Sequence, residues 1–172
     1  MGHATTLEYN PLDLVTTLRD ALGHEWQQEY DSRGHLVQAT DPLGRTTRYR
    51  HDARGRTVEV IDAKGGSKRL AWDEADNLVA YTDCSGQTTR YTYDGMGRPL
   101  TRIDAAGRSL AYHYDRAGRL IALDNENHAR THFRYDLRDQ LTDEVGFDGR
   151  WQRYIYNAAG ELTHVIEAGG SD

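Results

Sequence analysis

Cysteine occurs once in these 172 residues, at Cys84. A single thiol excludes an internal disulfide framework and the paired-cysteine zinc sites. Proline is nearly as scarce, with 3 residues against 17 glycines. No apolar run approaches the roughly 18 residues of a membrane-spanning helix, and the N-terminus has no apolar h-region of a signal peptide. Positive charge is not in excess either: 21 Lys and Arg face 27 Asp and Glu, a formal charge of -6. A general nucleic-acid binder would need a basic face for phosphates, so that class is set aside. What remains is a hydrophilic, turn-rich chain, 37% hydrophobic and 28% charged, whose charges are dispersed as on a solvated surface. Its length suits one domain with a modest core.

The stretch "RYTYDGMGRPLTRID" holds two tyrosines and two aspartates and looks at first like a catalytic motif. Its Tyr93–Asp94 pair is instead one of eight. Trp72–Asp73, His51–Asp52, Tyr30–Asp31 and Tyr9–Asn10 precede it, and Tyr114–Asp115, Tyr135–Asp136 and Tyr156–Asn157 follow, always 21 residues apart. A fixed period without insertion or deletion marks a repeat array. Catalysis needs a unique carboxylate whose neighbours shift its proton affinity, and an aspartate recurring in every unit is not unique. Serines lie at turn or strand positions without a GxSxG context. The sequence therefore gives no catalytic residue and no cofactor.

With each aromatic as position zero, position four is Gly34, Gly55, Gly97, Gly118 and Gly160, replaced by Asp13, Asp76 and Asp139 in the other units. Positions eleven and fourteen carry a second pair: Asp41 with Gly44, Asp62 with Gly65, Asp83 with Gly86 and Asp104 with Gly107. Asp-x-x-Gly is turn chemistry: the carboxylate accepts a backbone N–H and glycine takes positive φ. Between the turns run β-favouring segments such as "TVEVI", "LVAYT" and "TTRYTY". "LDLVTTLRDAL" has a faint helical stripe but falls in register, so it too reads as strand. The expectation is an all-β, antiparallel array of about seven to eight 21-residue hairpins, forming a long twisted or curved sheet. All of 1–172 reads as one array, begun and ended in mid-repeat: Gly2 and Gly170 fall on position fourteen.

Alternation places Thr47, Tyr49 and His51 on one face, likewise Thr89, Tyr91 and Tyr93, with Arg48 and Arg90 on the other. Ten of the eleven tyrosines occupy the two aromatic phases, Tyr81 being outside them. Tyr30, Tyr49, Tyr91, Tyr93, Tyr112, Tyr114, Tyr135, Tyr154 and Tyr156 are expected to pack the array. Equivalent strands lie about 9.6 Å apart, so the rings are expected to sandwich Val58, Val79, Leu100 and Ile121 of the intervening strands. The first strand of each unit is less clean, with apolar residues on both faces.

Isolated features read as bland. His128 and His132 have the spacing of helical metal ligands, but on a strand that spacing separates them by about 13 Å. "DNENH" at Asp124–His128 lacks the ligand spacing of a calcium loop and reads as a degenerate turn. No metal site is assigned. Cys84 reads as an exposed, incidental thiol.

The pattern Y-D-x-x-G-R, then D-x-x-G, then Y-x-Y-D, as in "YDGMGRPLTRIDAAGRSLAYHYD", resembles the YD repeat of bacterial Rhs (rearrangement hotspot) proteins, insecticidal toxin-complex subunits and teneurins. The resemblance covers essentially the whole chain. It implies a segment of a β-sheet shell that encapsulates a toxic C-terminal polypeptide, in a bacterial parent protein made in the cytoplasm and exported or held at the cell surface. The partners it implies are the remainder of the shell and the toxin, with self-association through sheet edges. Family shells end in an autoproteolytic region containing D-P-x-G. Here "DPLG" at Asp41–Gly44 is in phase with ordinary mid-repeat turns, and no toxin domain is expected within residues 1–172. The competing function is a carbohydrate-binding or cell-surface adhesion module, for which Trp26, Trp72 and Trp151 are the candidate ligand rings.

Overall fold

The computed structural model describes residues 4–168, so Gly2 and Gly170 lie outside the described residues. Sixteen strands follow one another in an antiparallel sheet whose order is the order of the chain. Every described element is a strand. The chain divides into two compact units at Thr88/Thr89. The first holds β1 (Thr6–Tyr9), β2 (Val15–Arg19), β3 (Glu25–Tyr30), β4 (Leu36–Thr40), β5 (Thr46–His51), β6 (Thr57–Ile61), β7 (Ser67–Trp72) and β8 (Leu78–Thr82). The second holds β9 (Thr88–Tyr93), β10 (Pro99–Ile103), β11 (Ser109–Tyr114), β12 (Leu120–Asn125), β13 (Arg130–Tyr135), β14 (Leu141–Val145), β15 (Trp151–Tyr156) and β16 (Leu162–Glu167). The stretch with the faint helical stripe is β2, as its register required.

Every connection between consecutive strands is the same turn. In the Tyr93–Asp94 unit the Gly97 amide donates to the Asp94 carbonyl at 3.0 Å, and the Asp94 amide donates to the Arg98 carbonyl at 2.9 Å. This is a type I turn closed by one residue of positive φ, a three-residue hairpin loop. Asp94 Oδ1 accepts the Met96 and Arg98 amides at 2.9 and 3.0 Å, which fixes the turn before any tertiary contact forms. Mid-repeat turns repeat the scheme: Asp41, Asp62, Asp83 and Asp104 each accept the amides two and four residues on. Gly44, Gly65, Gly86 and Gly107 all have positive φ. "DPLG" is thus an ordinary turn. So is the glycine-free one, where Asn125 caps and His128 takes φ 59°.

The two kinds of hairpin pair differently. Strands joined by a mid-repeat turn share three residue pairs beside the turn, as in β4–β5 and β12–β13. Strands joined by a Tyr-Asp turn pair further, but each contains a β-bulge at the aromatic. Tyr30 pairs with Leu36 while Glu29 pairs with Gln38, so Val37 is the extra residue, and the same break recurs at His51 and Tyr135. The bulge corrects one expectation. Val58, Val79, Leu100 and Ile121 are the extra residues, and the rings face others: Tyr49 lies opposite Val60, Tyr91 opposite Arg102 and Tyr112 opposite Leu123. Leu100 and Ile121 are exposed. Tyr81, outside the aromatic phases, still joins the aromatic face, because it pairs with Leu70 of that face.

The expected modest core is absent. Among the described residues only Ala122 and Thr131 are buried. A single layer has no second layer to bury against, so each side chain is covered only by neighbours on its own face. In the first unit one face carries Trp26, Tyr49, Val60, Leu70 and Tyr81. The other carries a polar ladder, with Glu59 taking Arg50 at 3.2 Å, Arg69 at 3.3 Å and Ser67 at 2.7 Å. The second unit repeats the split: Phe133, Tyr154 and Tyr156 lie on one face, and Asp143 with Arg153, 2.8 Å apart, on the other.

Candidate functional site

The aromatic at position zero stands where the strand pairs of the mid-repeat hairpins run out. At Tyr30, Trp72, Tyr135 and Tyr156 the polar tip of the ring bonds a backbone carbonyl in that gap. The Tyr30 hydroxyl donates to the Val15 carbonyl at 3.0 Å, Tyr135 to Leu120 at 2.8 Å and Tyr156 to Leu141 at 2.9 Å. Trp72 does the same through Nε1, 2.8 Å from the Thr57 carbonyl. The acceptor is always position six of the preceding repeat, the residue at the bulge. A half-buried carbonyl that the bulge takes out of the ladder is thereby satisfied. Trp72, one of the candidate ligand rings, thus takes the tyrosine's place in the joint.

The residue after the turn, position five, extends the joint. Arg98 Nε donates to Asp94 Oδ2 at 2.7 Å, and its guanidinium lies 4.8 Å from the Tyr114 ring centroid. Arg119 likewise bonds Asp115 at 2.7 Å and covers Tyr135 at 5.2 Å. Arg56 bonds Asp52, then reaches the Asp73 carbonyl at 2.6 Å and Asp76 Oδ1 at 2.7 Å. Asp76 and Asp139 occupy position four with φ of 65° and 62°. Each gains an arginine from the preceding repeat, Arg56 for Asp76 and Arg119 for Asp139 at 2.6 Å. The sequence carried a signal for this, since an arginine follows the turn glycine in several units, but its target could not be read from spacing.

These contacts set the electrostatics. The Arg98 amide holds the Asp94 carboxyl below the usual range, the Arg119 amide does so for Asp115, and the Arg56 side chain for Asp52. The His35 side chain brings Asp31 down to about 2. Burial pushes the phenols of Tyr114 and Tyr135 up. Asp124, on the polar face, lies far below the usual range because Arg130 and His113 both bond it. Each shift has a structural partner, and the carboxylates recur as turn caps and ion-pair members.

Of the candidate ligand rings, Trp26 and Trp151 are exposed. Trp26 shares the face of Gln28 and Tyr30. Trp151 shares that of Arg153, whose guanidinium is 5.7 Å from its centroid, and points away from the face of Tyr154. Trp26 borders a groove of 540 Å³ that Ala39, Asp41, Arg45, Asp62 and Lys64 also line. His128 is a turn residue and His132 lies on β13, and Cys84 is exposed in its turn. Among the described residues no three His, Cys, Asp or Glu side chains converge as metal ligands.

A family model described as the teneurin YD-shell matches residues 3–171. The chain is similar in fold to the Tc holotoxin pore of Photorhabdus luminescens, solved with a TccC3 mutation. Identity is 18%, the match covers 84% of this chain and 9% of that one, and the TM-score is 0.71. A TcdB2-TccC3 crystal structure aligns at 16% identity over 96% of this chain and 14% of that one, with a TM-score of 0.48. No curated protein matches the sequence.

Proposed function

Because the chain belongs to the teneurin YD-shell family, we propose that it is a stretch of wall in a hollow β-sheet shell that encloses a toxic polypeptide. The observation that carries this reading is the single layer: two chemically different faces, with only Ala122 and Thr131 buried among the described residues. Such a fold makes surface, and two unlike surfaces suit a partition between an enclosed chain and solvent. The repeat supplies extension, since the same turn closes each hairpin and the ring-to-carbonyl bond of Tyr30, Trp72, Tyr135 and Tyr156 fastens one repeat to the last. On this reading the parent protein is bacterial, made in the cytoplasm and exported or displayed. The wall itself performs no bond chemistry.

A wall segment also joins its neighbours edge to edge, because an open sheet edge is a template for further strands. Size-exclusion chromatography with light scattering, over a hundredfold concentration range, tests this. Concentration-dependent assembly is expected. A monomer at every concentration would count against the wall and favour a free-standing module.

The second reading, carbohydrate binding, rests on the Trp26 groove. A flat indole beside two carboxylates, an arginine and a lysine offers an apolar platform with polar edges. Titration with neutral oligosaccharides should then give saturable heat that Trp26→Ala abolishes. No heat, or heat that Trp26→Ala leaves intact, removes the groove from consideration.

A further inference from the structure

In the first unit, the joint between the Tyr-Asp turns of β3–β4 and β5–β6 departs from the pattern. In two joints of the second unit position five is an arginine over the next repeat's tyrosine, at 4.8 Å for Arg98 on Tyr114 and 5.2 Å for Arg119 on Tyr135. Here both members are histidines. His35, at position five, stacks on His51, at position zero, with centroids 5.2 Å apart and planes inclined by 28°. His35 Nδ1 lies 2.9 Å from Asp31 Oδ2, so a charged His35 keeps the carboxylate partner that Arg56, Arg98 and Arg119 have in their joints. One imidazolium over one neutral ring is physically the same contact as a guanidinium over a phenol.

Acid breaks the equivalence. A phenol beneath an arginine stays neutral as pH falls, whereas histidine is the side chain that changes charge between about pH 5 and 8. Once His51 is charged as well, cation over ring becomes cation against cation at the same 5.2 Å. The surrounding groups do not neutralise the second charge. On the β3–β4 turn, Asp31 is taken by His35, and Arg33 is held on the Ala53 carbonyl at 3.0 Å. From β5 come Tyr49 and Arg50, the latter paired with Glu59. On the following turn Asp52 is taken by Arg56 at 2.7 Å. Both nearby turn carboxylates are therefore committed. We propose that the His35–His51 stack is an acid-sensitive latch between these two turns, closed at neutral pH and released when both rings carry charge.

Amide hydrogen exchange of the whole chain tests the latch. Rates are compared at about pH 7.5 and about pH 5.5, a pair that brackets histidine's charge change, after correction for intrinsic exchange. Peptides containing the Gly34, Asp52 and Gly55 amides are expected to open about tenfold more at the lower pH, the factor that corresponds to one unit of differential proton affinity. The histidine-free turn at Asp136 serves as internal reference. A His35→Arg/His51→Tyr double variant restores the arginine-on-tyrosine pair found twice in this chain and should remove the pH response at that joint. His51→Tyr alone should do the same and serves if the double variant does not fold. Equal opening at both pH values in the wild type, or an undiminished response in either folded variant, overturns the proposal.

Discussion

Gly55→Ala is expected to destabilise the first unit by about 2 kcal/mol or more, against about 1 kcal/mol for Gly65→Ala. Both glycines hold nearly the same backbone, with φ of +83° for Gly55 and +85° for Gly65, so both variants carry the strain of a left-handed alanine. They differ in what the new methyl meets. Nothing lies within 4 Å of a Cβ at Gly65, whereas a Cβ at Gly55 would collide with the His35 ring. That ring is held from both sides, by Asp31 and by the His51 stack, so it cannot swing away without losing a partner. For units of this size about 1 kcal/mol corresponds to roughly 4–8 °C in melting temperature. Thermal melts of the two variants, read by circular dichroism, should therefore separate clearly. Equal melting temperatures would mean that position four feels only its own backbone. The contact that Gly55 makes with the preceding repeat would then carry no weight.

Much of this architecture was legible in the sequence, because turn chemistry is local. Asp94, Gly97 and their equivalents specify a turn within five residues, so the register of the repeat placed every turn correctly, including those closed by Asp13, Asp76, His128 and Asp139. The bulge was not legible, since it depends on how two strands pair. The untidy first strand is real: Val60 lies opposite Tyr49 on the aromatic face and Ile61 opposite Arg48 on the polar one, so apolar residues do fall on both faces. The missing core was hidden for another reason: a composition of 37% hydrophobic residues is compatible with one layer or two. Of the site, the carbonyl acceptors of Tyr30, Tyr135 and Tyr156 were not legible. A hydroxyl reaching the carbonyl of position six needs the gap between Val15 and Tyr30, and that gap exists only once the strands stop pairing. The bond of Trp72 was hidden for the same reason, because its partner, Thr57, is 15 residues away.

The same turn carboxylates that made the fold readable should make it unusually sensitive to acid. Asp31, Asp52, Asp62, Asp73, Asp83, Asp94 and Asp115 all titrate lower in the folded chain than the ordinary value of 3.8. The causes are the turn's own: the His35 ring for Asp31, the Gly66 amide for Asp62, the Asn77 side chain for Asp73 and the Ser85 hydroxyl for Asp83. A carboxyl depressed on folding takes up its proton in the unfolded chain first. Its contribution is fully present above the unfolded value and is lost as pH falls through the folded one. For Asp31 that window runs from 3.8 down to about 2. Because the groups share one sense, their losses accumulate, and the melting temperature should fall steeply below about pH 4. Asparagine supplies the control. Asn10, Asn125 and Asn157 cap their turns through the same Oδ1 bonds and cannot titrate in this range. Asp94→Asn should keep its turn at neutral pH while giving up the Arg98 ion pair, and should lose less stability than the wild type between about pH 4 and pH 2. Melts across that range decide the matter. A wild-type profile that stays flat would mean that the turns hold through their backbone bonds alone, with the carboxylates as replaceable as the three asparagines already are.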